Sequence, residues 1–212
     1  ENMSNGTKVK KRDGRIESLD LDKMHVMVEE ATKGLAGVSA SQVEMTSGIQ
    51  FYNGISTAEI QEILIRSASD LIDLDHPNYQ YVAARLLLFA VRKSLYGKMK
   101  ELPSLEEHIY SCVNAEVYDN DIFNKYSKEE IERANSFIDH DRDYLFTYAG
   151  LRQVVDKYLV QDRSSGGVYE TPQFMYMMIA LTIFAEYPKE TRMSYVRRDR
   201  KSTRLNSSHE WI

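Results

Sequence analysis

Four times along this chain a serine stands three residues ahead of a glutamate at the head of a stretch with helical apolar spacing: Ser41 with Glu44, Ser56 with Glu59, Ser104 with Glu107 and Ser127 with Glu130. In such a pair the hydroxyl accepts a backbone N–H of the first helical turn and the carboxylate reaches back to the serine N–H, so each pair starts a helix. Stop signals follow closely, as at Gly34, Asn53-Gly54 and Gly97. A chain punctuated in this way folds as a series of short helices and leaves little length for sheet.

The front of the chain is the exception. Residues 7–11 and 15–19 alternate polar and apolar around Arg12, Asp13 and Gly14, which predicts a β-hairpin. The period turns helical at Asp20. Leu21, Met24, Val28 and Ala31 form one stripe, with Asp20 or Asp22 as cap. A second helix is expected through Val43, Ile49 and Phe51, then Ile55 as a short extended link. A third helix carries Ile60, Ile63, Leu64 and Ala68. A fourth opens with Pro77 in its first turn and ends near Tyr96. Further helices are expected at 104–114, after Ser127 and at 146–159; Pro172 starts an apolar one through 174–187, and Pro188 begins another. A second hairpin is expected from 158–161 with 168–170. The fold class is therefore mainly α with small β: a β-hairpin plus four helices over 1–97, then a helical region over 98–198.

Composition narrows the function classes. Lys and Arg number 27 against 32 Asp and Glu, so the chain is acidic and offers no broad surface for nucleic-acid phosphates. The single cysteine, Cys112, excludes a disulfide framework and a zinc ribbon. The apolar run at 175–185 is far shorter than the ~20 residues of a membrane span. No signal peptide is visible, so the expectation is a cytoplasmic chain without membrane or nucleic-acid partners. Residues 199–209 lose apolar periodicity and read like the translation of a short-read sequencing adapter. The expectation is a non-native tail at 199–212, set aside from functional argument.

Two clusters invite chemistry. Lys8, Lys10, Lys11, Arg12 and Arg15 fall within eight residues. They suit a polyphosphate, since a cation ~4 Å from a negative charge gains about 4 kcal/mol at an effective dielectric of 20. From composition alone the favoured reading is lysines on an edge strand that discourage aggregation. The run Asp139, His140, Asp141, Arg142, Asp143 has no companion His or Cys cluster and reads as a local ion-pair network. His25 and His76 read as structural, and the apolar stripe from Phe174 to Phe184 as core.

The ordered series 9–15 (VKKRDGR), 21–23 (LDK), 54–57 (GIST) and 77–86 (PNYQYVAARL) resembles the ATP-cone of ribonucleotide reductases. Its continuation through 137–143 (FIDHDRD), 157–160 (KYLV), 169–174 (YETPQF) and 190–192 (ETR) is similar to the large (alpha) subunit of the aerobic, class I enzyme of bacteria and bacteriophages. The resemblance implies an ATP-cone followed by the helical front of the catalytic region, cut before the barrel. It implies a parent enzyme that reduces ribonucleoside diphosphates, an alpha homodimer, and a small radical-bearing beta subunit. ATP and dATP would be the allosteric effectors, with Mg2+ accompanying them and no metal held by side chains of this stretch. By the same resemblance Lys11, Arg12, Lys23, Thr57 and Lys93 match phosphate or nucleotide contacts, while Glu17 and Asp20 match positions near the nucleoside. Gln61 stands where some members carry His; its amide still hydrogen-bonds a sugar but never becomes cationic. The family's catalytic cysteines lie beyond 198, so no catalytic residue is expected here. The alternative from another class is a standalone or degenerate nucleotide-sensing module without catalysis.

Overall fold

The computed structural model describes residues 6–206, with the backbone alone for 200–206. It is mostly helical, with one small sheet, and divides into two compact units: Glu1–Ala90 with Tyr144–Arg152, and Val91–Asp143 with Gln153–Ile212.

In the first unit, β1 (Lys8–Lys10) and β2 (Ile16–Ser18) pair antiparallel, Val9 opposite Glu17. The loop between them is closed by the Lys11 N–H donating to the Arg15 carbonyl at 2.8 Å. Gly14 sits at φ +86°, the left-handed conformation a three-residue hairpin loop requires. The expected link at Ile55 is a third strand. β3 (Ile55–Ser56) runs parallel to β1, Lys10 opposite Ser56, giving the order β2-β1-β3. Val9 of the central strand and Ile55, its partner on β3, both bury their side chains.

Helix α1 (Leu21–Thr32) is capped by Asp20, whose carboxylate accepts the Lys23 N–H at 3.0 Å. Helix α2 (Ala40–Gly48) departs from expectation at both ends. Its cap is Ser39, accepting the Gln42 N–H, and it stops before Ile49, which is 86% exposed. Glu44, expected to complete the cap with Ser41, instead binds His25 of α1 at 2.7 Å. Helix α3 (Thr57–Asp70) carries the full Ser56–Glu59 capping box. Helix α4 (Tyr79–Tyr96) begins two residues after Pro77, because the turn from His76 closes with the Tyr79 N–H donating to His76 and the Gln80 N–H to Pro77.

In the second unit, α5 (Leu105–Asn114) and α7 (Lys128–Ser136) open with the expected boxes, separated by the single turn α6 (Ile122–Lys125). The helix expected over 146–159 is broken where the chain passes between units: α8 (Tyr148–Gln153), in the first unit up to Arg152, gives way to a wider π turn at Val154–Tyr158. The second hairpin shrinks to one bridge, Gln161 with Val168. Its remaining length is a loop in which Asp162 accepts hydrogen bonds from the hydroxyls of Ser164 and Ser165. Helix α9 (Pro172–Ile183) starts at Pro172 as expected and ends earlier than its apolar run suggested. Phe174, Met177, Ala180 and Leu181 of α9 pack with Leu105, Ile109, Ile131 and Val196 into this unit's core. Helix α10 (Arg192–Asn206) continues through the position where periodicity was lost, its Arg, Lys and Leu being good helix formers. Of the expected tail, 207–212 lies outside the described residues. Among the described residues no helix is long and apolar enough to cross a membrane.

Candidate functional site

The register of β1 with β3 organises the front of the molecule. Because Lys10 lies opposite Ser56, the basic loop that follows β1 and the head of α3 that follows β3 leave the same end of the sheet. Ser56 spends its hydroxyl on the Glu59 N–H at 3.1 Å, and Glu59 returns to the Ser56 N–H at 3.0 Å. Tyr52 donates to the same Glu59 carboxylate at 2.8 Å. The Ser56 backbone donor, followed by Tyr52, holds Glu59 below the usual carboxylate range. The helix start is thus rigidly held without any help from Thr57.

Thr57, the first residue of α3, buries its hydroxyl with no hydrogen-bond partner among the described residues. A buried polar atom without a partner is costly and points to a group it is built to meet. Gln61 lies one turn further on the same helix face and is 7% exposed. The first N–H groups of a helix, with its positive dipole end, favour an anion at this place.

The cations differ in how closely their charges are held. Arg15 is held by Asp13 at 2.6 Å and lies 3.3 Å from Glu17. The hydrogen bonds from Arg15 in turn lower Asp13. Lys11 lies 3.7 Å from Glu17 and stays about one-third exposed. Lys23 lies 3.8 Å from Asp20, whose carboxylate is committed to the α1 cap. Exposed, long-range pairs of this kind exchange easily for a stronger anion. Arg12 is exposed on the loop. Of the sequence-predicted residues, Lys11 is therefore brought together with Glu17, Lys23 with Asp20, and Thr57 with Gln61. Lys93 lies half-buried in the last turn of α4, among the residues of the second unit. Sequence reasoning missed Ser56 as a sheet residue and Tyr52 as a brace; a two-residue strand carries no readable period.

His25 connects the front turn of α1 to α2. Its ring nitrogens meet Glu44 at 2.7 Å and Glu29 at 3.1 Å. The hydrogen bond that His25 donates to Glu44, ahead of the Glu44 charge, raises the His25 pKa above the ordinary 6.5. A raised imidazole stabilises the fold fully below its unfolded value and loses that contribution as pH rises through the folded value. The melting temperature of the wild type should therefore fall relative to His25→Asn as pH rises from 6 into the slightly alkaline range. A pH-independent difference would remove the tie.

The run at 139–143 is structural. Asp139 pairs with Arg142 at 3.6 Å, and Asp143 is buried 3.5 Å from Arg92, with Gln173 donating to it at 2.9 Å. Cys112 is buried too, its thiol pushed up to about 11 by burial and then by Glu170. Among the described residues no group of three or more His, Cys, Asp or Glu is placed to hold a metal ion.

Comparison with known proteins gives this geometry a family. Residues 7–94 match the ATP cone domain, and 144–209 match the ribonucleotide reductase all-alpha domain. The chain is 47% identical over 196 residues to ribonucleoside-diphosphate reductase 1 subunit alpha of Escherichia coli K12, covering 92% of this chain and 26% of that protein. It is 48% identical over 190 residues to the alpha subunit of Buchnera aphidicola from Acyrthosiphon pisum, covering 90% and 25%. To the alpha subunit of Enterobacteria phage T4 it is 41% identical over 188 residues, covering 88% and 24%. The chain spans about a quarter of the length of these relatives. On these matches the chain belongs to the ribonucleoside-diphosphate reductase alpha-subunit family, with an ATP-cone at its front and all-alpha domain sequence behind it.

Proposed function

We propose that the chain is the regulatory front of a ribonucleoside-diphosphate reductase alpha subunit, and that residues 1–97 bind ATP and dATP as allosteric effectors. The observation that carries this reading is the buried, unpartnered Thr57 hydroxyl at the head of α3, beside the basic loop after β1. In this reading Thr57 and the free amides of α3 meet a phosphate, which Lys11, Arg12 and Lys23 neutralise. Glu17 and Asp20 face the nucleoside end, where a carboxylate accepts from a ribose hydroxyl or a base amine. Asp20 kept away from phosphate avoids a repulsion of about 3 kcal/mol at ~6 Å and an effective dielectric of 20. Gln61 reads the sugar as a neutral amide, able to donate and accept. Mg2+ enters with the effector phosphates.

The parent subunit would reduce ribonucleoside diphosphates to deoxyribonucleotides for DNA synthesis, as an alpha homodimer working with a radical-bearing beta subunit. Residues 98–198 are the helical front of its catalytic region, and the reacting cysteines belong to the remainder of the subunit. The 212-residue chain is expected to bind effector without catalysing reduction.

Calorimetric titration of the full chain with ATP and, separately, dATP, both with magnesium, tests the reading. Saturable binding of both is expected. Lys11→Ala, Arg12→Ala and Lys23→Ala should each weaken ATP by about 1–3 kcal/mol, the range for hydrogen bonds to charged groups, with unchanged melting. Wild-type affinity in Lys11→Ala would remove the basic loop from the site. No binding by a folded chain would leave a degenerate cone.

A further inference from the structure

The second unit buries an acid that has no counter-charge. Glu170 is 2% exposed, and among the described residues no Lys or Arg pairs with it. Two donors hold it instead: the Tyr118 hydroxyl on one oxygen and the Val160 N–H on the other at 3.0 Å. Behind Tyr118 the contacts continue inward. Its hydroxyl lies 3.0 Å from His108 Nε2, and His108 Nδ1 lies 3.3 Å from the hydroxyl of Tyr96, the last residue of α4. His108 is buried and stacks on Phe174 at 4.2 Å, which fixes the plane of its ring.

The charge on Glu170 sets the direction of every bond in this line. An ionised carboxylate only accepts, so Tyr118 gives it its hydrogen. The Tyr118 oxygen is then left to accept, which places the His108 hydrogen on Nε2, and Nδ1 in turn accepts from Tyr96. A protonated Glu170 reverses the line. As one proton from solvent joins the Tyr96 oxygen, the Tyr96 hydrogen passes to Nδ1, the Nε2 hydrogen to Tyr118 and the Tyr118 hydrogen to Glu170. Tyr96 then needs a new acceptor. Thr171 supplies it: its hydroxyl faces Tyr96, is fully buried and has no hydrogen-bond partner among the described residues.

Other polar groups around the line are accounted for. Cys112 donates its thiol hydrogen to the Tyr169 carbonyl at 3.6 Å, the Arg92 charge acts on Tyr96, and His140 stands edge-on to Phe174 at 4.7 Å. Asp119, Asp121, Lys125 and Tyr158 line the cavity on the far side of Glu170, with Lys125 3.3 Å from Asp121. Burial raises Glu170 above the usual carboxylate range, against the pull of Tyr118 and the Val160 N–H. Burial, then the charge of His140, lowers His108 to about 4. As pH falls, Glu170 therefore takes up a proton in preference to the imidazole.

We propose that Glu170, Tyr118, His108 and Tyr96 form a reversible proton relay, in which uptake of one proton by Glu170 switches His108 from its Nε2–H to its Nδ1–H form and loosens the hold on Val160. The relay belongs to the second unit alone, and its test needs no effector. The full chain with nitrogen-15 histidine is titrated from about pH 8 to about pH 5, and the ring nitrogens of His108 are followed by NMR. Nε2–H at the alkaline end, changing to Nδ1–H in a single-proton step, is the expected result. The Val160 amide should exchange several-fold faster at the acid end, corrected for intrinsic rate, because a neutral carboxyl accepts less strongly than a carboxylate. Glu170→Gln, whose amide donates to Tyr118 and accepts from Val160, should hold Nδ1–H throughout. Tyr118→Phe, which removes the link and keeps the ring, should abolish the change. A wild-type His108 that keeps one form across the range overturns the proposal, as does one that becomes imidazolium. A change that survives in either folded variant overturns it equally.

Discussion

Replacing Arg192 by alanine is expected to lower the unfolding free energy by about 3–5 kcal/mol, the usual cost of breaking one side of a buried ion pair. Arg192 is 3% exposed and uses its guanidinium completely. It forks onto Glu130 at 2.7 and 2.6 Å, donates to the carbonyls of Ala185 and Lys125, and lies 4.3 Å over the Tyr126 ring. Tyr126 in turn donates to the Leu181 carbonyl. Alanine would leave two carbonyls and a carboxylate facing an empty volume at the joint of α6, α7, α9 and α10. Arg192→Lys should recover part of the loss, because an ammonium keeps the charge but cannot make the fork. The Arg192 hydrogen bonds hold Glu130 below the usual carboxylate range. A depressed carboxylate contributes above its unfolded pKa and loses that contribution as pH falls through the folded value. Denaturant midpoints of wild type and variant should therefore converge in acid; a gap constant from neutral to acid pH would contradict the assignment.

Arg92→Met should cost a similar amount, about 3–5 kcal/mol, with a loss that also shrinks as pH falls but over a higher pH range. Burial pushes Asp143 up to about 6, against the pull of Arg92 and the hydrogen bond from Gln173. Removing Arg92 takes away the main counter-charge and raises the carboxyl further. A carboxyl whose folded pKa lies above its unfolded value favours the folded state as pH falls. The loss in Arg92→Met should therefore be largest in mild alkali and shrink toward pH 5, where Asp143 takes up a proton. Adding Asp143→Leu should restore much of the stability, since an apolar pair removes both buried charges. A loss that is flat with pH, or a double variant no better than the single, would rule out the buried pair as the cause.

The helix starts show what local chemistry can and cannot say. Ser56, Ser104 and Ser127 all cap as their sequence neighbours predict, because cap and carboxylate are three residues apart and need no tertiary information. Ser41 fails for a tertiary reason: Glu44 is claimed by His25, 19 residues away, while Ser39 is available two positions earlier. The second hairpin fails likewise, because Glu170 is drawn inward by Tyr118 from 52 residues away and the ladder ends there. In the candidate site, the basic loop is legible because its charges are adjacent in sequence. The pairing of Lys11 and Arg15 with Glu17 is not, since it depends on the hairpin register. Nor could the orphaned Thr57 hydroxyl be foreseen, because it follows from Ser56 doing all of the capping.

The three-stranded sheet also sets how affinity will respond to changes elsewhere. Its central strand meets one partner across a three-residue hairpin loop and the other across a span of 45 residues, as the Lys8 N–H reaching Asn53 shows. Between those residues lie α1 and α2 in their entirety. The basic loop and the head of α3 are aligned only in molecules where both helices are packed. Effector affinity is then scaled by the fraction of chains in that state. Substitutions at Val28, Val43 or His25, none of which touches the nucleotide in this reading, should weaken binding through that fraction alone. By linkage, saturating effector should protect the amides of α1 and α2 from hydrogen exchange although it contacts only their edge.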